Sequence, residues 1–475
     1  MLTLADVIEA LTNYRPAVAT AVISEAAVDS RQVIPGGLFV AIPGERTDGH
    51  AYVVDAFRRG ASFALIQRDL PDGAFRTLNL LTAPTDISSP EAFTPPLCLR
   101  VENTITALQK IARFWRRRLD VRVVGITGSV GKSTTKEAVA EVLGMRYHTL
   151  KNPGNLNNEI GLPLTLLRLG PGYERAVLEM GFYVPGEIAF LCDIAVPYMG
   201  IVTNVGTVHA ERAGSQEAIF RGKSELVQAL PPDGVAILNY DDPWVRKMAE
   251  LTQARVFFYG LDPAADLWAD EIESMGLDGI RFRMHYRRET LHVRLPMLGQ
   301  HSVHTALRAA SAGLADGLTW QEILDGLRMG QTQLRLNVVR AASGALLLDD
   351  TYNASPESTL AALNLLSELD GHRVAVLGDM LELGPYEKQG HELVGIRAAQ
   401  VVEALVTVGP RGRLIAAAAR RAGMRSAKVA EFNSSEESIP YLRQTLGPND
   451  VVLVKGSHGV HMERIVMALE RENDE

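Results

Sequence analysis

The stretch Val123-Val124-Gly125-Ile126-Thr127-Gly128-Ser129-Val130-Gly131-Lys132-Ser133-Thr134-Thr135 sets a β-branched apolar run before a glycine-rich turn, a Gly-Lys-Ser triplet and a helical pattern. Phosphate chemistry needs that order. Glycines let backbone N–H groups close on phosphate oxygens, a helix N-terminus adds a favourable dipole, a lysine supplies a point charge, and a serine hydroxyl can ligate magnesium. Thr127, Gly128, Ser129, Val130, Gly131, Lys132, Ser133 and Thr134 are therefore the candidate ATP-binding loop. The strict pattern places Gly or Ala five positions before Gly131, where Ile126 stands, but the short core keeps every part the chemistry uses. The alternative, an ordinary glycine turn with a chance lysine, does not call for strand and helix to flank it in this order.

Two further residues fall at the ends of apolar runs. Glu179 closes Val177-Leu178-Glu179-Met180-Gly181, and His209 follows Ile201-Val202-Thr203-Asn204-Val205-Gly206-Thr207-Val208. Ligands of open α/β sheets gather at such C-terminal strand ends, where a carboxylate and a neutral imidazole can hold divalent ions against phosphates, with Ser133 as a further ligand. A strand-end histidine is more often structural, so on the residues alone both readings stay open. Lys223, in Gly222-Lys223-Ser224-Glu225, is by default a surface lysine. Beside a metal site, a neutral lysine amine can instead react with carbon dioxide to give a carbamate, which turns a cation into a metal-binding anion; burial is what would keep the amine neutral.

The elements that position these residues alternate. Apolar runs at 121–126, 175–179, 199–205 and 235–238 are separated by helical patterns, which predicts a doubly wound parallel sheet in a central domain at 99–330. A second series at 345–349, 373–377, 404–408 and 451–454, with a helix over 357–369, predicts a C-terminal Rossmann-like α/β domain at 331–475. Before them, short strand-like pieces broken by Pro35-Gly36-Gly37 and Pro43-Gly44 predict a small α/β domain at 1–98, followed by a helix over 103–118. Three domains suit 475 residues, since single cores stop growing near ~250–300. Arg116-Arg117-Arg118 at the end of that helix reads as a solvated helix end.

Lys+Arg 48 against Asp+Glu 56, with no long single-sign run, speaks against nucleic acid as a partner. Cys98 and Cys192 are too few for a disulfide scaffold and too far apart for a metal knuckle, which fits a reducing compartment. The N-terminus has no basic leader and no apolar run reaches the ~18 residues of a membrane span, so a cytoplasmic protein is expected.

The phosphate loop, Asn155-Leu156-Asn157-Asn158-Glu159-Ile160-Gly161, Glu179-Met180-Gly181, the stretch from Asn204 to His209, Lys223 and Asn239-Tyr240-Asp241-Asp242 together resemble the central domain of the Mur ligases. Asp29-Ser30-Arg31, Pro35-Gly36, Leu38-Phe39-Val40-Ala41 and Asp48-Gly49-His50 resemble the UDP-binding N-terminal domain of two members, those adding the third residue and the terminal dipeptide. Asp349-Asp350-Thr351-Tyr352-Asn353-Ala354-Ser355-Pro356 and Gly378-Asp379-Met380-Leu381-Glu382-Leu383-Gly384 are similar to the member that adds D-alanyl-D-alanine, and Lys455-Gly456-Ser457 fits it. The Asp-Tyr-Ala-His and Asp-Asn-Pro-Arg stretches of the tripeptide-forming member are not in the sequence.

The resemblance implies a peptide ligase of peptidoglycan precursor synthesis that uses ATP and two magnesium ions to join D-alanyl-D-alanine to UDP-N-acetylmuramoyl-tripeptide. It implies catalytic roles for Lys132, His209 and Lys223, and metal ligation by Ser133, Glu179, His209 and a carbamylated Lys223. Asn239, Arg335 and Asp350 would contact the adenosine. Ser30, Arg31, Asp48, Gly49, His50, Asn157 and Asn158 would bind the UDP substrate, Asn353 and Ser355 the dipeptide, and a monomer is expected. The chain departs from the family at Ser302 and Thr305, where Asn is usual, at Leu336-Asn337 after Arg335, where Met-Glu is usual, and at His458, where Arg is common. Competing readings are a sister ligase adding a single amino acid, a folate-type polyglutamate ligase, and a nucleotide-regulated binding protein. The last has no need of a magnesium cluster, and the folate type would lack the Asp29-Ser30-Arg31 segment.

Overall fold

The computed structural model describes residues 1–44, 47–70, 75–82, 89–206, 214–329 and 337–470. His209, Arg335 and Leu336 lie outside them. Five short strands open the chain: β1 (Ala26–Ala27), β2 (Leu38–Val40), β3 (Phe63–Ile66), β4 (Arg76–Asn79) and β5 (Leu97–Arg100). All pair in parallel in the order β1-β2-β3-β5-β4. The unbroken apolar character of β2 and β3 follows from burial on both faces. Leu38, Val40, Phe63 and Leu65 enter one core, while Phe39, Ala64 and Ile66 join Cys98 in another.

A helix, Thr104–Arg117, leads into the central domain, with the Asn103 side chain accepting from the Thr106 N–H as its cap. Its arginine end is not uniformly solvated, contrary to expectation. Arg116 is buried and donates to the carbonyls of Ala195 at 2.8 Å, Leu119 at 3.0 Å and Val121 at 2.6 Å. The Ala195 carbonyl ends another helix, Glu187–Ala195, and needs an external donor, which the planar guanidinium supplies. Arg117 and Arg118 do sit in solvent, against Asp193 and against Asp6 with Glu9.

The central sheet comprises β6 (Arg122–Thr127), β7 (Thr149–Lys151), β8 (Arg175–Glu179), β9 (Met199–Val202), β10 (Val235–Asn239), β11 (Arg255–Gly260), β12 (Leu267–Ser274), β13 (Ile280–Tyr286) and β14 (Glu289–Leu295). The order is β14-β13-β12-β11-β10-β9-β6-β8-β7. From β7 to β12 it is parallel, but β12, β13 and β14 form an antiparallel meander, which corrects the expectation of a parallel sheet throughout. The meander alternates: Ile280, Phe282 and Met284 point into the core while Arg281 is exposed and Arg283 and His285 are half-buried, the period of a sheet with one solvated face. A hairpin at Arg287 and Arg288 joins β13 to β14 without a crossover helix.

The third sheet holds β15 (Asn337–Arg340), β16 (Leu346–Asp350), β17 (His372–Gly378), β18 (Ala404–Val408), β19 (Val429–Phe432) and β20 (Asp450–Lys455), ordered β15-β16-β20-β17-β18-β19. Only the edge strand β15 is antiparallel. Among the described residues no helix is long and apolar enough to cross a membrane.

Candidate active site

Strand β6 pairs with β8 on one side and β9 on the other, so the chain changes direction across it. In open parallel sheets that switch point is where ligands bind, beyond the carboxyl ends of the strands. The phosphate loop leaves β6 there and enters the helix Lys132–Gly144, whose N-cap Gly131 adopts φ 82°. Gly128, at φ 149°, packs so tightly on Thr203 that any Cβ would collide with its hydroxyl. Glycine at 128 thus lets the loop pack on the segment that follows β9, and glycine at 131 supplies the left-handed turn into the helix.

The ends of the neighbouring strands hold the loop. The Asn204 Oδ1 accepts from Ser129 N at 3.1 Å and Val130 N at 2.9 Å, and Thr203 donates to the Val130 carbonyl at 2.7 Å. Thr127 donates to the Met180 carbonyl at 3.2 Å. Lys132 Nζ donates to the Gly128 carbonyl at 2.9 Å. Glu179, at the end of β8, accepts from the Ser133 hydroxyl at 2.6 Å and from Asn157 Nδ2 at 2.9 Å. Among the described residues no three His, Cys, Asp or Glu side chains cluster as a metal cage; Ser133 and Glu179 both line the cleft beside the loop.

Lys223 is fully buried in the helix Gln216–Gln228, and its amine has no hydrogen-bond partner among the described residues. The Phe182 ring lies over it at 4.8 Å, and the same ring occupies the space a side chain at residue 222 would need, so Gly222 admits the lid. Burial first, and then the charge of Lys132, push the Lys223 amine well below its ordinary range. This is no surface lysine. It is an amine whose burial disfavours the charged form, without a partner among the described residues and behind a residue of the cleft, and carbamate formation needs such an amine.

A cleft of about 570 Å³ joins this wall to the C-terminal domain. Ser129, Val130, Gly131, Lys132, Ser133, Thr134, Asn157, Glu179 and Asn239 line one side; Asp350, Tyr352, Asn353 and Ser355 line the other. Asn239 donates to the Thr203 carbonyl at 3.1 Å from the end of β10. Across from it, buried Lys455 donates to Asp350 at 2.7 Å and to the Asn353 carbonyl at 2.8 Å, tying β20 to the loop after β16. Ser355 caps the helix Pro356–Ser367 by accepting from Ser358 N. His458 also lines the cleft, its ring 6.3 Å from that of Tyr352.

The remaining candidates stand elsewhere. Ser30 and Arg31 sit on one short 3-10 turn of the N-terminal domain, Gly49 and His50 on another that Asp48 caps, and none of them lines this cleft. Arg31 is exposed and paired with Asp29. The His50 ring is committed to its loop, through Nδ1 to Asp48 at 2.7 Å and through Nε2 accepting from Gln67 N at 3.0 Å. Asn158 accepts from Gly161 N at 2.8 Å at the start of the helix Gly161–Leu167, whereas Asn157 turns toward Glu179. Ser302 spends its hydroxyl on the Leu298 carbonyl at 2.6 Å, while Thr305 lines the cleft.

Sequence reading missed Asn204 as the loop's clamp, Lys455 as the anchor of the opposite wall, and Arg308, a buried arginine lining the cleft from the helix Ser302–Ala315. The spacing of His301, His304 and Arg308, three and then four residues apart, was the available signal, since it puts all three on one side of a helical path.

The family model for the Mur ligase middle domain matches residues 126–313, that for the Mur ligase glutamate ligase domain matches 334–458, and that for the Mur ligase family catalytic domain matches 22–79. UDP-N-acetylmuramoyl-tripeptide--D-alanyl-D-alanine ligase of Bacillus subtilis (strain 168) is 33% identical to the chain, covering 96% of it and 95% of the relative. The chain belongs to the Mur ligase family. The ligase of the same name from Escherichia coli (strain K12) is 34% identical over 93% of the chain and 92% of its own length. A crystal structure of MurF from Acinetobacter baumannii superposes on this Mur ligase with a TM-score of 0.81 at 30% identity, covering 98% of the chain and 97% of that structure. MurF of Thermotoga maritima in complex with ADP gives 0.76 at 30% identity, covering 94% and 96%.

Proposed function

We propose that this Mur ligase joins D-alanyl-D-alanine to the terminal carboxyl of UDP-N-acetylmuramoyl-tripeptide, converting ATP to ADP and phosphate and giving the UDP-linked pentapeptide. The observation that carries the reading is the single cleft in which the phosphate loop faces the Tyr352-Asn353-Ala354-Ser355 stretch. Near-full-length similarity to ligases of that name supports the choice of substrates.

A carboxylate is a poor electrophile, so its oxygen first takes the γ-phosphoryl group of ATP, releasing ADP and leaving an acyl phosphate. The dipeptide amine then attacks the acyl carbon, phosphate departs with the bonding pair, and the amine loses a proton. Lys132 exchanges its contacts with the Gly128 and Ser129 carbonyls for phosphate oxygens, and the helix N-terminus behind Gly131 faces the same charge. Asn239, Asp350 and Arg335 hold the adenosine, and Asn353 and Ser355 orient the dipeptide. The UDP end is held by Ser30, Arg31 and the Asp48-Gly49-His50 loop, with Asn157 and Asn158 nearer the reacting carboxyl. With domain divisions at 1–98, 99–330 and 331–475, each domain contributes to substrate binding, and the adenosine and the UDP substrate are each shared between two of them.

Magnesium, when bound, neutralises phosphate charge and polarises the transferred group. The donor set fits it: a hydroxyl and a carboxylate 2.6 Å apart at Ser133 and Glu179, with a buried amine behind Phe182 that has no partner among the described residues. Ser133, Glu179, His209 and Lys223 as its carbamate would hold two such ions. The test is ADP release by purified protein with magnesium, UDP-N-acetylmuramoyl-tripeptide and D-alanyl-D-alanine, omitting each in turn. Release that requires tripeptide and dipeptide together is expected; release with one amino acid on a shorter precursor would overturn the substrate assignment, and no release the ligase reading.

A further inference from the structure

Arg308 is buried in the helix Ser302–Ala315, which packs on the helix that begins at the phosphate loop. Its Nη1 donates to Thr135 Oγ1 at 2.5 Å and lies 3.4 Å from the Gly131 carbonyl, and its Nε donates to the His304 carbonyl one turn back at 2.9 Å. Nη2 has no hydrogen-bond partner among the described residues, and the side chain lines the cleft. No carboxylate among the described residues comes within ion-pair distance of it. Its neighbours are the Tyr259 ring at 5.8 Å and two histidines, His301 and His304, that burial keeps neutral. A guanidinium taken out of water is costly unless something of opposite charge meets it.

The contacts Arg308 makes are not ones the loop needs. The Gly131 carbonyl already accepts from Thr135 N at 3.0 Å and from the Thr135 hydroxyl at 2.6 Å, and the His304 carbonyl belongs to a continuing helix. Removing the guanidinium would strand no acceptor. What it contributes is a positive charge and free N–H donors at the Gly131 end of the loop, whereas Lys132 bonds at the Gly128 end.

We propose that Arg308 is a second phosphate-directed cation of the nucleotide site, and that bound nucleotide supplies the counter-charge its pocket lacks. This rests on the reading of the loop as the ATP site. Arg308 acts on the diphosphate and is indifferent to the nucleoside.

The experiment is titration calorimetry of wild type, Arg308→Lys, Arg308→Gln and Arg308→Met with ADP and with adenosine, alongside melting curves with and without ADP. Loss of a charge-assisted hydrogen bond predicts ADP binding weaker by about 10-fold or more in the Gln and Met variants. Adenosine binding should stay within about twofold, Lys should recover part of the loss, and the Met variant without nucleotide should melt no lower than wild type. ADP affinity unchanged in the Gln and Met variants overturns the proposal, as does equal weakening of ADP and adenosine. A nucleotide-free melting point that falls in both variants overturns the missing counter-charge. Wild-type protein that fails to bind ADP removes the ATP-site reading itself, a result distinct from all of these.

Discussion

The central wall of the cleft is made of strand ends that satisfy one another, whereas the C-terminal wall is a loop pinned from the end of β20, by buried Lys455 and by the Ser457 hydroxyl, which donates to the Ala354 carbonyl at 3.3 Å. Thr127, Thr203, Asn204, Asn157 and Glu179 come from adjacent strands or the segments joining them, and exchange hydrogen bonds among themselves and with the phosphate loop. On the other side, Asp350 and Asn353 are both held from Lys455, and Ser355 doubles as a helix cap. A wall of mutually bonded strand ends is preorganised for chemistry common to many substrates. A wall hung from one strand end can vary with the amine it accepts, at the cost of linking recognition to stability.

The sharpest way to break that contrast is a pair of lysine substitutions. Lys132→Ala should reduce ADP release by about 10³-fold, ~4 kcal/mol of transition-state stabilisation, while the melting temperature barely moves, because solvent can serve the loop carbonyls to which Lys132 donates. Lys455→Met should do the reverse in kind. It removes the buried partner of Asp350 and a donor to Asn353, so unfolding in urea should show a loss of about 3 kcal/mol, with activity falling as the loop loosens. Equal melting temperatures for the two variants would mean the walls do not differ in this way.

Smaller than these is the effect of pH. Burial, and then the charge of Arg308, lower His301 and His304 to about 4. Each binds its proton more readily when unfolded, near 6.5, so the stabilisation is complete above 6.5, is lost as pH falls from 6.5 toward 4, and changes no further below. Both rings line the open cleft, so solvent screens most of the ~3 kcal/mol each would otherwise carry, leaving on the order of 1–3 kcal/mol for the pair. Urea unfolding at pH 7.5 and 4.5 should show the difference, and replacing both by Asn should flatten it. Lys223 points the same way in a higher window, since its depressed amine makes stability rise with pH up to the ordinary lysine range.

Much of the central wall was legible because its chemistry rides on periodicity. Runs expected at 175–179 and 404–408 are the strands observed, and those expected at 345–349, 373–377 and 451–454 fall within a residue of them. Side chains placed at the ends of such runs, Glu179 and Asn239 among them, then land together by topology alone. The meander β12 to β14 was not legible, since its last hairpin turns on Arg287 and Arg288, without the Gly or Asn that marks a two-residue turn. Arg116 and Arg308 were missed for another reason. Both stand in helices where an arginine reads as solvent-facing, and only tertiary packing shows that each points inward. Lys223 was visible as a residue but not as buried, because the ring that covers it comes from Phe182, forty-one positions away.

Asn157→Ala tests the central wall at about tenfold in activity, by freeing one oxygen of Glu179 while leaving its bond to Ser133. Ser355 gives the smallest and most discriminating effect on the other wall. As the cap of the helix Pro356–Ser367 it accepts from Ser358 N, so Ser355→Ala should cost about 1 kcal/mol in urea unfolding. Asp caps as well as Ser, so Ser355→Asp should return that stability. If Ser355 also orients the dipeptide, the KM for D-alanyl-D-alanine should stay raised in the Asp variant, because a carboxylate cannot donate the hydrogen bond a hydroxyl can and places a charge where the dipeptide's own carboxylate approaches. If the cap is its whole role, stability and KM return together. The first result makes one residue serve recognition and folding at once, as the contrast between the walls requires; the second confines recognition to Asn353 and its neighbours.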